Sequence, residues 1–200
     1  MKRASLLAVS IASMFTSAAL AAAVVGQPAP AFTATDLSGK PVSLADFKGK
    51  TVVLEWHNFG CPFVQKHYRS GNMQALQKKY AGQGVVWLSV VSSAPGNQGY
   101  VTAPEANEHV KAVGAVPAAV LLDPDGKVGR LYGAQTTPHM YVIDPKGTLV
   151  YMGAIDNKES TDVKDVATAT NYVAAALDAG KSGKPIAVNT TKPYGCGVKY

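Results

Sequence analysis

The chain has 200 residues, of which 47% are hydrophobic and 16% charged, and its formal net charge is +6. This length is enough for one domain with accessory segments. Basic and acidic residues are interspersed, without a long basic run or an aromatic–basic stripe, and this pattern argues against a nucleic-acid partner.

The first 21 residues have the pattern of a secretory signal peptide. Lys2 and Arg3 form a basic start, residues 6–15 an apolar core, and residues 19–21 a small-residue cleavage site. The apolar run is too short for a membrane span. We therefore predict export to the periplasm, removal of residues 1–21 and no membrane attachment afterwards. An uncleaved anchor or an ordinary apolar helix is the alternative.

Beyond this segment the chain alternates strand and helix patterns. In chain order, the pattern predicts a hairpin at 34–44, a short helical turn at 45–50, a buried strand at 51–57, a helix from 62 to about 80 that breaks at 70–72, a strand at 85–91, a helix at 104–113, a strand at 118–123, a hairpin at 139–153 and a helix at 163–179. Strands that alternate with helices imply a parallel core, to which the late hairpin adds antiparallel strands.

This element order is that of an α/β, thioredoxin-like fold. We predict one domain over residues 25–180, with a mixed central sheet flanked by helices and an N-terminal β-hairpin extension. Residues 181–200 have no periodicity and carry Gly, Lys, Pro and Thr, so they are predicted to be an irregular tail.

Cys61 lies where the buried strand gives way to a helix. The first-turn N–H groups of a helix are unpaired and its dipole is positive there, so a thiolate is stabilised at this place. Pro62 suits the first helical position, where no N–H is needed. We therefore expect Cys61 to be a redox nucleophile; the alternative is an inert structural cysteine.

Cys196, the only other cysteine, lies in the predicted tail between Gly195 and Gly197. Glycine permits the close backbone approach that a disulfide needs, and the cost of closing a long loop grows only logarithmically with its length. Cys196 is therefore the candidate resolving cysteine. A static bridge and a bridge to another subunit remain as alternatives.

Two further features accompany the cysteines. Thr137-Pro138 precedes a predicted strand, where a cis bond would leave the Thr137 backbone free to pair with an extended substrate; an ordinary trans bond is the alternative. Glu55 lies six residues before Cys61. If buried, it is expected to have a raised pKa and to accept a proton from the resolving thiol; otherwise it is a strand residue paired with a lysine.

The histidines are weaker candidates. His57 could pair with the thiolate, although a structural role at a strand end is favoured. His139 is expected to contact substrate or to lie on the surface at the strand entry, and His67 and His109 are expected to face solvent. A copper site built from a CxxxC pair and a histidine is not supported, because Gln65 occupies the position of the second cysteine. We predict no metal and no cofactor.

Several of these stretches together resemble one family. They are LEWHNFGCPFV at 54–64, SGNMQ at 70–74, TPHMYVIDPKG at 137–147, YMGAID at 151–156 and PYGCGVKY at 193–200. They are similar to bacterial redoxin-domain proteins of the peroxiredoxin-like, alkyl hydroperoxide reductase and thiol-specific antioxidant type. The resemblance implies a thioredoxin fold and thiol-linked oxidoreductase or antioxidant activity. A protein disulfide or a small peroxide would be the substrate, and a thioredoxin-like protein the electron donor.

The chain departs from better-known relatives at the site itself. Val64 stands where thioredoxins carry a second cysteine, and Leu54 and Asn58 stand where typical peroxiredoxins carry proline and threonine. Pro138 replaces their activating arginine, so O–O cleavage lacks its usual electrostatic help. We expect Asn58, Thr137 and Pro138 to contact substrate. The function predicted is an exported thiol–disulfide oxidoreductase; the alternatives are a thiol peroxidase and a non-catalytic redoxin-fold binding module with a static disulfide.

Overall fold

A seven-stranded mixed sheet organises residues 22–200, the part of the chain that the computed structural model describes. The predicted signal peptide, residues 1–21, lies outside the described residues. The strand order is β2-β1-β5-β4-β3-β7-β8, and a second sheet pairs β6 with β9. The strands are β1 Thr33–Asp36, β2 Pro41–Ser43, β3 Val52–Trp56, β4 Val86–Val91, β5 Ala119–Leu122, β6 Thr136–Thr137, β7 His139–Ile143, β8 Leu149–Gly153 and β9 Cys196–Gly197.

The centre of the large sheet is parallel and its flanks are antiparallel. Strands β3, β4 and β5 run parallel, while β7 pairs antiparallel with β3 and with β8, and β1 pairs antiparallel with β5. Every residue of β3 and β4 is buried, as expected for strands covered on both faces. The predicted α/β fold with a mixed sheet and an N-terminal hairpin is confirmed.

In the described part of the chain, five α-helices and two 3-10 helices connect and cover the strands. They are α1 Pro62–Arg69, α2 Asn72–Ala81, α3 Ala103–Val113, α4 Lys127–Tyr132 and α5 Tyr172–Lys181, with 3-10 turns at Leu44–Phe47 and Val163–Thr168. The predicted break before Asn72 is confirmed: Gly71 has φ +73°, a left-handed conformation that glycine adopts without steric strain. Within residues 22–200, no helix combines the length and the apolarity that crossing a membrane requires.

Two helical elements differ from the prediction. Helix α4 was not predicted, because six residues with an internal glycine carry little helical signal. It forms because the buried Asp123 carboxylate accepts from the backbone N–H groups of Val128 and Gly129 at 3.1 and 2.9 Å. The single helix predicted at 163–179 is wrong: Asn171 caps a separate α5 by accepting from the Ala174 N–H at 2.8 Å.

Hydrophobic side chains pack on both faces of the sheet. Along β3, Val53 joins one core with residues of α1, α2 and α5, whereas Leu54 and Trp56 join the other core with Tyr132 of α4. This alternation is the two-residue period of a strand. Packing on both faces fixes the position of β3, and Cys61, five residues beyond its carboxyl end at Trp56, belongs to the same core as Val53.

Candidate active site

Cys61 occupies the N-cap of α1. Its backbone is extended, with φ −77° and ψ 123°, and Pro62 takes the first helical position. The predicted helix start at Cys61 is therefore confirmed. The side chain is fully buried, and its place at the N-cap puts it at the positive end of the helix dipole.

The tail brings the second cysteine to the first. The Sγ atoms of Cys61 and Cys196 lie 2.6 Å apart although 135 positions separate the residues. A disulfide bond is about 2.05 Å long, so the two sulfurs need only a small movement to bond. The arrangement places the partner of Cys61 within the same chain, and this favours the two intramolecular alternatives over a bridge to another subunit.

The two thiols differ in acidity. Burial raises the pKa of Cys61, but hydrogen bonds from the Cys196 thiol, the Thr137 side chain and the Val64 backbone N–H together lower it by more, so the net direction is downward. Burial and the neighbouring Cys61 sulfur raise the pKa of Cys196. Cys61 therefore loses its proton first, and the Cys196 thiol donates to the thiolate. Because the thiolate is the reactive form, this order distinguishes nucleophile from partner.

Strand β6 holds the tail beside Cys61. The Thr137-Pro138 peptide is cis, as predicted. The tail occupies the Thr137 backbone in this structure, because Thr137 pairs with Cys196 and Thr136 with Gly197. Contacts of Thr137 and Pro138 with substrate stay predictions. The protonated Cys61 thiol donates to the Thr137 carbonyl at 3.0 Å. Gly195 has φ +137°, and a Cβ there would overlap the Thr137 carbonyl. Only glycine permits this approach.

A buried charged cluster holds the tail on the other side of Cys196. The Tyr194 hydroxyl donates to the Asp156 carboxylate, and Lys66 Nζ lies 3.8 Å from that carboxylate. His67 is fully buried beside them, so its predicted solvent exposure is wrong. Burial, followed by the nearby Lys66 charge, lowers the pKa of His67 to about 4 against the raising effect of Asp156. Neither Asp156 nor Lys66 was a candidate, because their burial depends on the packed tail.

Glu55 is buried, but its pKa is not raised. Its carboxylate accepts from Trp87 Nε1 at 2.8 Å and the Tyr68 hydroxyl at 3.0 Å, and pairs with His57 Nδ1 at 2.9 Å. Burial raises the pKa of Glu55, and these hydrogen bonds, His57 first, together lower it by more, so the net direction is downward. The expected high pKa is therefore wrong, and so is the expected lysine partner. Within residues 22–200, no hydrogen bond joins Glu55 to either sulfur.

The remaining histidines have structural contacts. His57 pairs with Glu55 and not with the thiolate, which confirms the favoured structural role. His139 is 3% exposed, so a place on the strand-entry surface is wrong; its Nδ1 lies 3.1 Å from the Tyr141 hydroxyl, and burial lowers its pKa to about 3. His109 is exposed, as predicted, and its ring stacks on Phe59.

Asn58 shapes the loop that leads to Cys61. Its side-chain oxygen accepts from the Gly60 N–H at 2.9 Å, its amide donates to Gln98 Oε1 at 2.9 Å, and its carbonyl accepts from the Cys61 N–H at 3.0 Å. The side chain is committed to the protein itself. A contact of Asn58 with substrate stays a prediction. No group of three or more His, Cys, Asp or Glu side chains within 22–200 is placed to hold a metal ion.

Comparison with known proteins shows that the chain is similar to thiol redox proteins. Residues 25–152 match the AhpC/TSA family. The thioredoxin-like protein YneN of Bacillus subtilis (strain 168) is 29% identical over 70% of this chain and 79% of YneN. The thiol-disulfide oxidoreductase ResA of Bacillus thuringiensis (strain Al Hakam) is 32% identical over 56% of this chain and 72% of that protein.

The fold also matches solved structures. The crystal structure of the hypothetical protein SMc02350 from Sinorhizobium meliloti 1021 superposes with a TM-score of 0.72 at 26% identity, covering 90% of this chain and 96% of that one. The two folds therefore agree over nearly the whole described chain.

Proposed function

Because the chain belongs to the AhpC/TSA family, we propose that it is a thiol-dependent oxidoreductase that reduces a disulfide of a protein partner. The observation that carries the proposal is the 2.6 Å separation of the Cys61 and Cys196 sulfurs. The opposite shifts of the two pKa values support the assignment of roles: Cys61 is the nucleophile and Cys196 the resolving cysteine. The thiol-disulfide oxidoreductase named among its relatives supports the reaction class.

The reaction proceeds in two exchanges of sulfur. The Cys61 thiolate attacks one sulfur of the partner's disulfide, forming a mixed disulfide and releasing the other sulfur as a thiolate. Cys196 gives its proton to solvent and attacks Cys61 Sγ, which breaks the mixed disulfide and forms the Cys61–Cys196 bond. The partner's two sulfurs take up two protons. Two electrons have passed from this protein to the partner, and a thioredoxin-like dithiol returns the protein to its reduced form.

The first 21 residues support export of the protein to an oxidising compartment, where a disulfide of this kind persists. Fractionation of cells that produce the full chain tests this part. The expected product is a periplasmic protein that begins near residue 22, and full-length protein retained in the cytoplasm would refute export.

The experiment that tests the exchange uses alkylation and a trap variant. Oxidised protein, alkylated without reductant, is expected to carry no alkyl group and to have the mass of one intramolecular disulfide. Cys196→Ser is expected to accumulate mixed disulfides through Cys61, whereas Cys61→Ser forms none. Two alkylated thiols after treatment with a disulfide substrate would contradict the proposal. If the bridge only stabilised the fold, the parent protein would show no exchange activity. Cys61→Ser would then only lower the free energy of unfolding, by about 2–5 kcal/mol.

Membership of the AhpC/TSA family favours a second candidate, reduction of a small peroxide. The Cys61 thiolate would attack the O–O bond and become a sulfenic acid, with water or an alcohol leaving, and Cys196 would condense with it to a disulfide and water. Leu54 and Pro138 offer no hydrogen-bond donor to the cleaving bond. Stopped-flow reaction of the reduced protein with hydrogen peroxide decides: a rate no greater than that of free cysteine removes this candidate.

A further inference from the structure

Tyr200 fills a slot on the surface of α4. Gly126 and Gly129 form its walls, since a Cβ at either position would overlap the tyrosine ring. The Tyr200 hydroxyl donates to the Ala134 carbonyl at 2.7 Å. The guanidinium of Arg130 lies over the ring, 4.4 Å from its centroid, in the geometry of a cation–π contact. The slot therefore binds an aromatic side chain through complementary shape, a hydrogen bond to a carbonyl and a cation–π contact.

The tail between Cys196 and Tyr200 lies in a groove as an added strand. Thr137 pairs with Cys196, and the Val198 N–H donates to the Gln135 carbonyl at 3.0 Å. On the other side, the Ala94 N–H donates to the Lys199 carbonyl at 2.8 Å. These are backbone contacts, which any extended peptide of the same direction forms. Two side chains make the arrangement specific: the sulfur of Cys196 at Cys61, and the Tyr200 ring in its slot.

We propose that this groove binds the protein substrate, and that the slot takes an aromatic side chain four residues after the substrate's reacting cysteine. The inference rests on the proposed function and adds the class of substrate: an extended segment of the form Cys-x-x-x-aromatic. The tail is then an internal copy of the substrate. While the mixed disulfide exists, the substrate strand occupies the edge of β6, and the tail is displaced.

Competition for one groove couples resolution to product release. When Cys196 attacks Cys61 Sγ, the bond between Cys61 and the substrate cysteine breaks and the Cys61–Cys196 bond forms. The substrate sulfur leaves as a thiolate and takes a proton from solvent. The same movement returns β9 to β6 and Tyr200 to the slot, so the contacts that held the product pass to the tail. The reduced product therefore leaves as the internal disulfide closes.

The test uses two peptides and the full-length Cys196→Ser protein, in which Cys61 is the sole thiol. Both peptides have the sequence Tyr-Gly-Cys-Gly-Val-Lys-X, where X is Tyr or Ala, and their cysteine is joined by a disulfide to a coloured aryl thiol. Attack by Cys61 on the peptide sulfur releases the coloured aryl thiolate. Both peptides compete with the same tail, so the ratio of their second-order rates reports the slot. The Tyr peptide is expected to react about tenfold faster, because burial of an aromatic side chain is worth at least 1.4 kcal/mol, a factor of ten.

Filling the slot should remove this preference. On the Cys196→Ser background, Gly129→Ala places a methyl group where the ring lies, and the ratio is expected to fall to about one on the same energetic scale. Gly180→Ala is the matched control, since it also lies in a helix but faces open space, and its ratio is expected to stay at about ten. Arg130→Ala, which removes the cation without filling the slot, should lower the ratio in the same direction as Gly129→Ala.

Three results would overturn the reasoning at different levels. Equal rates for the two peptides on Cys196→Ser refute the aromatic slot, and so does a preference that survives in both Gly129→Ala and Arg130→Ala. If neither peptide reacts with Cys61 faster than with free cysteine, the proposed function itself fails, and the substrate class with it.

Discussion

Tyr194→Phe removes the hydroxyl that docks the tail ahead of Cys196; this hydroxyl also lies 3.4 Å from His67 Nε2. The change removes one hydroxyl and leaves the ring, which packs near Phe63 with centroids 5.8 Å apart. The hydroxyl donates to Asp156, a carboxylate that is 2% exposed and whose other oxygen has no hydrogen-bond partner within residues 22–200. After the change, Asp156 keeps the Lys158 N–H at 2.9 Å and the more distant Lys66 charge at 3.8 Å.

The magnitude follows from the charge of the acceptor. A hydrogen bond to a charged group contributes about 1.5–3 kcal/mol, and a buried acceptor that loses its donor is not compensated by water. Each 1.4 kcal/mol is a factor of ten. The docked state of the tail in the reduced protein should therefore become about ten- to a hundredfold less populated relative to the undocked state.

Amide hydrogen exchange measures this loss directly. The Val198 and Ala94 N–H groups bond across the tail, so they exchange when the tail undocks. In reduced Tyr194→Phe, their protection is expected to fall by the same about ten- to a hundredfold, while amides of β4 keep theirs. Tyr100→Phe, at an exposed ring, is the control and should change neither set. Unchanged protection of Val198, or an equal loss in β4, would refute the view that Tyr194 holds the tail locally.

Three further predictions concern ionisable groups. The thiolate absorbance of reduced protein, with the Cys61→Ser, Cys196→Ser double variant as the blank, is expected to rise with a first midpoint below the usual cysteine pKa of about 8.5, because the Cys61 pKa is lowered. A first midpoint at or above that value would contradict the site assignment. The pKa of His67 in the folded protein lies near 4, below its unfolded value of about 6.5. The unfolded chain therefore binds the proton more readily, so the contribution of His67 to the free energy of unfolding is fully present above about pH 6.5 and is lost as the pH drops from about 6.5 to about 4. Denaturant unfolding should show a smaller slope in this window for His67→Gln, whereas exposed His109→Gln should match the parent. Glu55→Gln is expected to lower the free energy of unfolding by about 1.5–3 kcal/mol, yet to leave the pH profile of thiol exchange unchanged; a shifted profile would restore the proton-transfer role.

Much of the fold could be predicted because its signals are local. The apolar runs of β3 and β4 differ from the periodic pattern of the helices, Pro62 marks the start of α1, and Gly71 separates α1 from α2. Each of these signals acts over one or two turns of chain. Helix α4 was missed for the opposite reason: Asp123, whose carboxylate accepts from the first turn of α4, lies before the helix and is buried beside Ser92, which donates to it at 2.6 Å.

The features of the active site also fall into two groups, those set by local sequence and those set by tertiary packing. The sequence alone determined that Cys61 begins a helix and that Cys196 is the one cysteine available to it, because these follow from residue type and neighbours. Only the tertiary structure decided that the two sulfurs meet, that Glu55 has a lowered pKa and that His67 is buried. Each of these depends on groups far apart in the chain, such as Trp87 for Glu55 and Tyr194 for His67. A pKa depends on the dipoles and charges that packing places within a few ångströms, and a sulfur separation depends on how the tail packs. A local pattern of residues does not specify these distances.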